Sequence, residues 1–248
     1  MANDYFSFRQ FTVRQELCAM KVGTDGTLLG AWASAPLLTP SSNLQTQNSN
    51  LKRPAPPLIL DIGTGTGLIA LMMAQRFPKA AITGIDIDGD AVSQACENVA
   101  ASPFADRIAI VGGDVRKMAS KAITPFDAIV CNPPYFYDSL PSPNAQRTLA
   151  RHTATLTYRQ LMECAWQLLA DEGELSVVIT SDRKAQMEGE AALAGFFKAR
   201  QCAVRTTPTK DPRRYLLAFR KHSTPIESAE LVIGTDAYRL LTAEFYLQ

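Results

Sequence analysis

The sequence predicts a doubly wound α/β fold on a mainly parallel sheet of seven strands, with a small N-terminal extension. Three observations carry that expectation. Short apolar runs alternate with helical segments, as in a chain of βα units. The runs are continuously hydrophobic, as strands covered on both faces must be. The first run passes through a glycine-rich turn directly into a helix, LILDIGTGTGLIALMMA (58–74).

The strands are expected at LILDI (58–62), AAITGID (80–86), RIAIV (107–111), FDAIVC (126–131), ELSVVIT (174–180), CAVRT (202–206) and RRYLLAFR (213–220). Helices are expected near 66–77, 89–101, 156–170 and 184–199. The tail adds a candidate strand, AELVIG (229–234), and a helix, DAYRLLTAEFYL (236–247). Weak alternation of Phe6, Phe8, Phe11 and Val13 predicts an extended N-terminal segment or hairpin, and KVGTDGTLLGAWA (21–33) places two glycine turns before a short helix. Residues 36–57 are rich in Pro, Ser, Asn and Gln, and read as a flexible linker. The chain therefore divides into a cap segment (1–35), that linker (36–57) and the main domain (58–248). No internal repeat is evident.

A length of 248 residues suits one larger domain. With 25 basic against 24 acidic side chains, no global polyelectrolyte argument applies. The longest apolar runs, such as LIALMMA (68–74), fall far below the ~18–20 residues of a membrane span. The start, MANDYFSFRQ, lacks a basic region followed by an apolar one, so no leader or membrane association is expected. Five scattered cysteines and two histidines point to a reducing cytoplasm without disulfides or a metal site. No obligate protein partner is indicated.

In such a sheet ligands bind beyond the carboxyl ends of the strands, where the first turn meets a helix N-terminus. Gly63, Gly65 and Gly67 allow close backbone approach there. The run from Gly65 to Ala70 also satisfies GxGxxA, and Asp86 stands where a dinucleotide site holds its ribose diol, so a nicotinamide cofactor is the competing reading. Two further acids weigh against it. Asp61, just before the glycines, repels a pyrophosphate but receives an ammonium, directly or through water. Asp114, after the third strand, is placed to accept from an adenine amine. An ammonium, a ribose and an adenine without phosphate describe S-adenosylmethionine (SAM), with S-adenosylhomocysteine as product. Ile87 and Val115, beside two of the acids, join the expected cofactor set.

The fourth strand ends in Asn132-Pro133-Pro134-Tyr135, a rigid corner poor in N–H donors with an aromatic at its flank. Here the sequence resembles the class I SAM-dependent methyltransferases, a Rossmann-like fold, in the branch that methylates planar amino nitrogens. DIGTGTG, GIDID, GGDV and NPPY carry the resemblance, in that order. An exocyclic amine conjugated to a ring is a weak nucleophile. Acceptors aimed at its N–H bonds, the Asn132 side-chain oxygen and the Pro133 carbonyl, favour rehybridisation and aim its lone pair. Tyr135 supplies a stacking ring. Asn132, Pro133 and Tyr135 are thus the expected catalytic set, with Asn132 also bordering the cofactor.

The resemblance extends to the bacterial tRNA(Val) adenine-37 N6-methyltransferases through CAMKVGTDGTLLGAWA (18–33), ARHTATLT (150–157) and the AEFYL tail. It implies transfer of a methyl group to N6 of an adenine in tRNA, and adds Lys21, Thr24 and Asp25 to the cofactor pocket. The 36–57 linker is longer than that family implies. Glutamine-N5 methylation of release factors, guanine-N2 methylation of rRNA, a DNA adenine enzyme and a catalytically silent SAM-fold RNA-binding protein are the alternatives. Only 57 residues precede the first strand, no long insertion is present, and both motifs are intact. Residues 198–222 hold eight Lys/Arg against one acid, Asp211, and read as a tRNA phosphate surface through Arg213 and Arg214, with Arg147 and Arg151 following the NPPY corner.

Overall fold

The computed structural model describes residues 4–18, 20–35, 56–121, 124–133 and 156–247. A hairpin of β1 (Tyr5–Ser7) and β2 (Thr12–Arg14) leads to α1 (Thr24–Trp32). The main unit then runs β3 (Leu58–Ile62), α2 (Leu68–Arg76), β4 (Ala81–Asp86), α3 (Gly89–Ala100), β5 (Ile108–Gly112), α4 (Val115–Ala119) and β6 (Phe126–Cys131). It continues with α5 (Tyr158–Leu168), β7 (Leu169–Thr180), α6 (Lys184–Leu193), β8 (Phe197–Arg205), β9 (Arg214–Arg220), β10 (Glu227–Val232) and α7 (Asp236–Thr242). Of the expected segments, the 36–57 linker lies almost wholly outside the described residues.

The sheet has eight strands in the order β10-β8-β9-β7-β6-β3-β4-β5. All neighbours pair in parallel except at β9, which is antiparallel to both β7 and β8. From β3 the chain winds outward to β4 and β5, then returns to build β6 and β7 on the other side. That reversal leaves a crevice at the carboxyl ends of β3 and β6. The candidate strand in the tail is the eighth, β10, one residue pair after another beside β8.

Strand alternation divides the interior into two cores. Ile59 of β3 and Val130 of β6 face Leu28 and Leu29 of α1 and Leu71, Met72 and Met73 of α2. Leu60 and Ile129, one residue along, face Leu161, Met162 and Leu168 of α5 on the opposite side. Each such fully buried side chain contributes on the order of 1.5–3 kcal/mol.

Two boundaries differ from expectation. The helix expected over 184–199 stops at Leu193 and β8 begins at Phe197, because Gly195 takes φ +97°, which ends a helix at little cost only for glycine. The helix expected through 170 ends at Leu168, and β7 starts at once. The short α4 was not expected; the Asp114 side chain caps it by accepting from the Arg116 N–H.

The N-terminal segment packs onto the main unit. α1 crosses α2 at Gly30, where a Cβ would stand 2.6 Å from Met72 Sδ and 2.9 Å from its Cβ. Arg76 of α2 donates to the Gly30 and Ala33 carbonyls at 2.9 and 2.6 Å, satisfying the C-terminal end of α1. The Arg9 N–H donates to the Phe245 carbonyl at 2.8 Å, tying the β1–β2 turn to the chain after α7. Among the described residues no helix is long and apolar enough to cross a membrane.

Gly30→Ala is expected to force the helices apart and cost roughly 1–3 kcal/mol of stability, as overpacking does. Urea unfolding of the variant beside the unsubstituted protein checks it.

Candidate active site

A cavity of about 650 Å³ opens in the crevice beyond β3, β4 and β6, the size range of small-molecule sites. Its floor is the glycine turn after β3. Acidic strand ends stand on one side, Asn132 and Pro133 on another, and the segment before α1 closes over it.

Side chains from three elements hold the glycine turn. Asp61 accepts at Oδ2 from Thr64 Oγ1 at 2.7 Å and from the Ala70 N–H at 3.1 Å. Asp86, ending β4, accepts from the Gly65 N–H at 2.8 Å through Oδ2 and from the Asp88 N–H at 3.0 Å through Oδ1. Asn98 of α3 donates to the Thr66 carbonyl at 2.9 Å, while also donating to the Arg14 carbonyl and accepting from the Arg14 N–H, both at 2.8 Å. Gly63, Gly65 and Gly67 all have positive φ, which the turn requires.

Asp61 is fully buried, and burial pushes its carboxyl up to about 7 against the lowering hydrogen bonds from Thr64 and Ala70. Its Oδ1 is buried without a hydrogen-bond partner among the described residues. Asp114 is held below the usual carboxylate range by Arg116, which contacts both its oxygens at 2.9 Å through Nε.

Lys21, Thr24, Asp25, Gly63, Gly65, Asp86, Ile87, Asp114, Val115 and Asn132 all line the cavity, as does Pro133. Asp61 and Gly67 do not. Asp61 lies under the turn, where its carboxyl holds Thr64 and the start of α2. Gly67 opens α2, and a Cβ on it would stand 3.4 Å from Ala95 Cβ of α3. Tyr135, Arg147 and Arg151 fall outside the described residues. Met20, Arg116 and Leu156 also line the cavity; Met20 and Leu156 fall within the 18–33 and 150–157 segments, but none of the three is among the expected site residues. Met20 Sδ lies 3.8 Å from Asn132 Nδ2.

The basic segment 198–222 differs from expectation. Lys198, Arg200, Arg205, Arg214, Arg220 and Lys221 pair with Glu188, Glu174, Glu230, Asp25, Glu174 and Asp171, acids that lie outside the segment. Arg214 turns into the cavity wall rather than outward. Lys210 and Arg213 have no ion-pair partner among the described residues. Most of the segment's basic side chains are thus paired, with acids that the folded chain brings alongside from other strands and helices. Among the described residues no group of three or more His, Cys, Asp or Glu could hold a metal ion.

The family model described as "Methyltransferase small domain" matches residues 42–208, more than half of the chain. A predicted O-methyltransferase from Agrobacterium tumefaciens superposes with a TM-score of 0.62 at 19% identity, over 89% of this chain and 96% of that one, which carries the fold. Fold and site together define a class I SAM-dependent methyltransferase. A tRNA1(Val) (adenine(37)-N6)-methyltransferase of Phocaeicola vulgatus is 46% identical, over 100% of this chain and 99% of that protein. One of Histophilus somni is 36% identical, over 98% and 97%. The chain belongs to the family of tRNA1(Val) (adenine(37)-N6)-methyltransferases.

The residues present fit SAM. The walls include Ile62, Ile85, Ile87, Ala91 and Val115, suited to an adenosine, and Asp86 stands at the strand end that receives a ribose. The uncompensated Asp61 Oδ1 beneath the turn favours a cation in its vicinity.

Asp86→Ala is expected to weaken SAM and S-adenosylhomocysteine binding by roughly 1–3 kcal/mol, through loss of charge-assisted bonds. Calorimetric titration measures it. Asp61 makes a second prediction. Its folded pKa is about 7, above the ordinary value of 3.8, so between these the folded state binds the extra proton. This group's contribution therefore lowers stability as pH rises from about 4 through 7. Asp61→Asn is expected to flatten that decline, read by urea unfolding at pH 5 and pH 8.

Proposed function

We propose that the protein transfers a methyl group from SAM to the exocyclic N6 of an adenine in tRNA, adenine 37 of the tRNA1(Val) anticodon loop. The observation that carries this reading is the Asn132-Pro133 corner, which ends β6 at the cavity's edge. Its chemistry suits an amine with a delocalised lone pair, and the family relatives bear the same activity in their names.

SAM, when bound, supplies an electrophilic methyl group on a sulfonium. The chain's own residues do the rest by positioning and preorganised dipoles. The Asn132 side-chain oxygen accepts one N–H of the target amine. The Pro133 carbonyl accepts the other. Both bonds strengthen as the nitrogen rehybridises, so they favour the transition state over the ground state. The proton leaves after transfer, when the nitrogen has become acidic, so no base need be poised beforehand. Tyr135 stacks the extruded base, and an unpaired loop adenine costs less to extrude than a paired one.

The cap 1–35 and the main domain 58–248 act together in this reading, since Lys21, Thr24 and Asp25 border the same cavity as the glycine turn. Arg147, Arg151 and Arg213 are phosphate contacts that position the tRNA without specifying its sequence. No metal takes part, and the cytoplasm, where tRNA is found, is the site of action.

Incubation with labelled SAM and total tRNA lacking its modifications, followed by digestion, is expected to yield N6-methyladenosine. Recovery of N5-methylglutamine from a release factor instead would replace the tRNA substrate with a protein one. Asn132→Ala is expected to lower kcat by roughly 100-fold while calorimetric SAM affinity changes little. Wild-type turnover by that variant would remove the acceptor role.

A further inference from the structure

We propose that Arg214 is a positioning residue for methyl transfer: its ion pair with Asp25 latches the start of α1 to the sheet and holds the cap against Asn132. The inference rests on the adenine-methyltransferase reading above. It assigns Arg214 a role other than gripping phosphate, and Asp25 one other than touching the cofactor.

The two residues come from opposite ends of the chain and meet in the cavity wall. Arg214 is rigidly mounted. It opens β9, opposite Thr180 at the end of β7 and Val204 of β8. The residue before it is pinned on both sides: the Arg213 N–H donates to the Val204 carbonyl at 3.0 Å, and its carbonyl accepts from the Ser181 N–H at 3.1 Å. Such a mount suits an anchor, because the guanidinium side chain is its remaining freedom.

The partner needs an anchor. The N-cap of α1 is Gly23, which has no side chain to accept from the helix's first N–H groups. Asp25 sits in that first turn, where the helix dipole favours a carboxylate, and its side chain is 13% exposed. The next residue, Gly26, is in contact distance of the chemistry: a Cβ there would be 3.2 Å from Leu68 and 4.0 Å from Asn132 Nδ2. Met20, earlier in the same cap, meets Asn132 at 3.8 Å. A shift of this turn therefore disturbs the packing of the cap beside the Asn132 amide. A misplacement of about 1 Å at a reacting group costs on the order of 100-fold in rate.

The test measures steady-state methylation of unmodified tRNA transcripts by R214A, R214K, D25N, the single variants D25R and R214D and the swap D25R/R214D, with melting temperatures recorded. At saturating SAM and tRNA, R214A and D25N are expected to lower kcat by about 10–100-fold while the KM for tRNA stays within about threefold. R214K keeps the charge without the planar fork and should fall between R214A and wild type. The swap is expected to recover at least tenfold over R214D alone, the mark of a coupled pair. An intact kcat in R214A, with a raised KM for tRNA and a log–log salt slope shallower by about one, identifies a phosphate contact and overturns the proposal. Additive losses in the double-mutant cycle overturn it too. Amide hydrogen exchange over residues 24–29 reads the latch without any reaction. Faster exchange in R214A or D25N supports it and unchanged exchange removes it, even where the wild type makes no N6-methyladenosine and the functional reading itself falls.

Discussion

A turn that leaves a buried strand through three positive-φ glycines has few side chains of its own with which to hold its shape, and everything at the cavity depends on how that deficit is met. The turn here is held from outside. The Asp61 carboxylate reaches from β3 to Thr64 and the start of α2, Asp86 reaches across from β4 to Gly65, and Asn98 reaches up from α3 to Thr66. Successive residues of the turn are thereby fixed by three different elements. A backbone so restrained presents its surface to a ligand without further ordering cost.

The same arrangement couples the turn to the cap. Asn98 divides its amide between Thr66 and both backbone groups of Arg14, and Gln94, one helical turn earlier, accepts from the Leu17 N–H at 3.0 Å. Both side chains are buried, so an unmade bond would leave polar groups stranded away from water, at about 1–3 kcal/mol each. α3 therefore grips the N-terminal segment and the ligand turn together. With Gly30 letting α1 settle on α2, the chain's first 35 residues become a wall of the site rather than an appendage.

Charge is organised on a similar principle. Glu174, fully buried on β7, is shared by Arg200 of β8 and Arg220 of β9, and Arg200 also lies 4.0 Å over the Trp32 ring at the end of α1. A buried carboxylate is tolerated when its oxygens are met by such donors, and removal of the acid would leave two guanidinium groups facing each other. The linear run of positive charge over 198–222 is thus largely internal bracing between strands.

Patterns with a short repeat were legible in the sequence: the strands from β3 to β6, the glycine turn, Asp86, Asp114 and the Asn132 corner. Their hydrophobicity and backbone demands are local, and a parallel sheet allows few ways to join them. The helix stop at Gly195 was not legible there: the helix expected from the sequence runs on to 199, past the observed end at Leu193. What the sequence could not contain is the meeting of distant residues. Arg214 and Asp25 are separated by most of the chain, Asp61 is turned beneath its own loop rather than into the cavity, and the acids that neutralise the basic segment come from β7, α1, α6 and β10. Periodicity and motif spacing report on a residue's own neighbourhood, whereas ion pairing and burial depend on which strands lie side by side, and that order is set only when the sheet assembles.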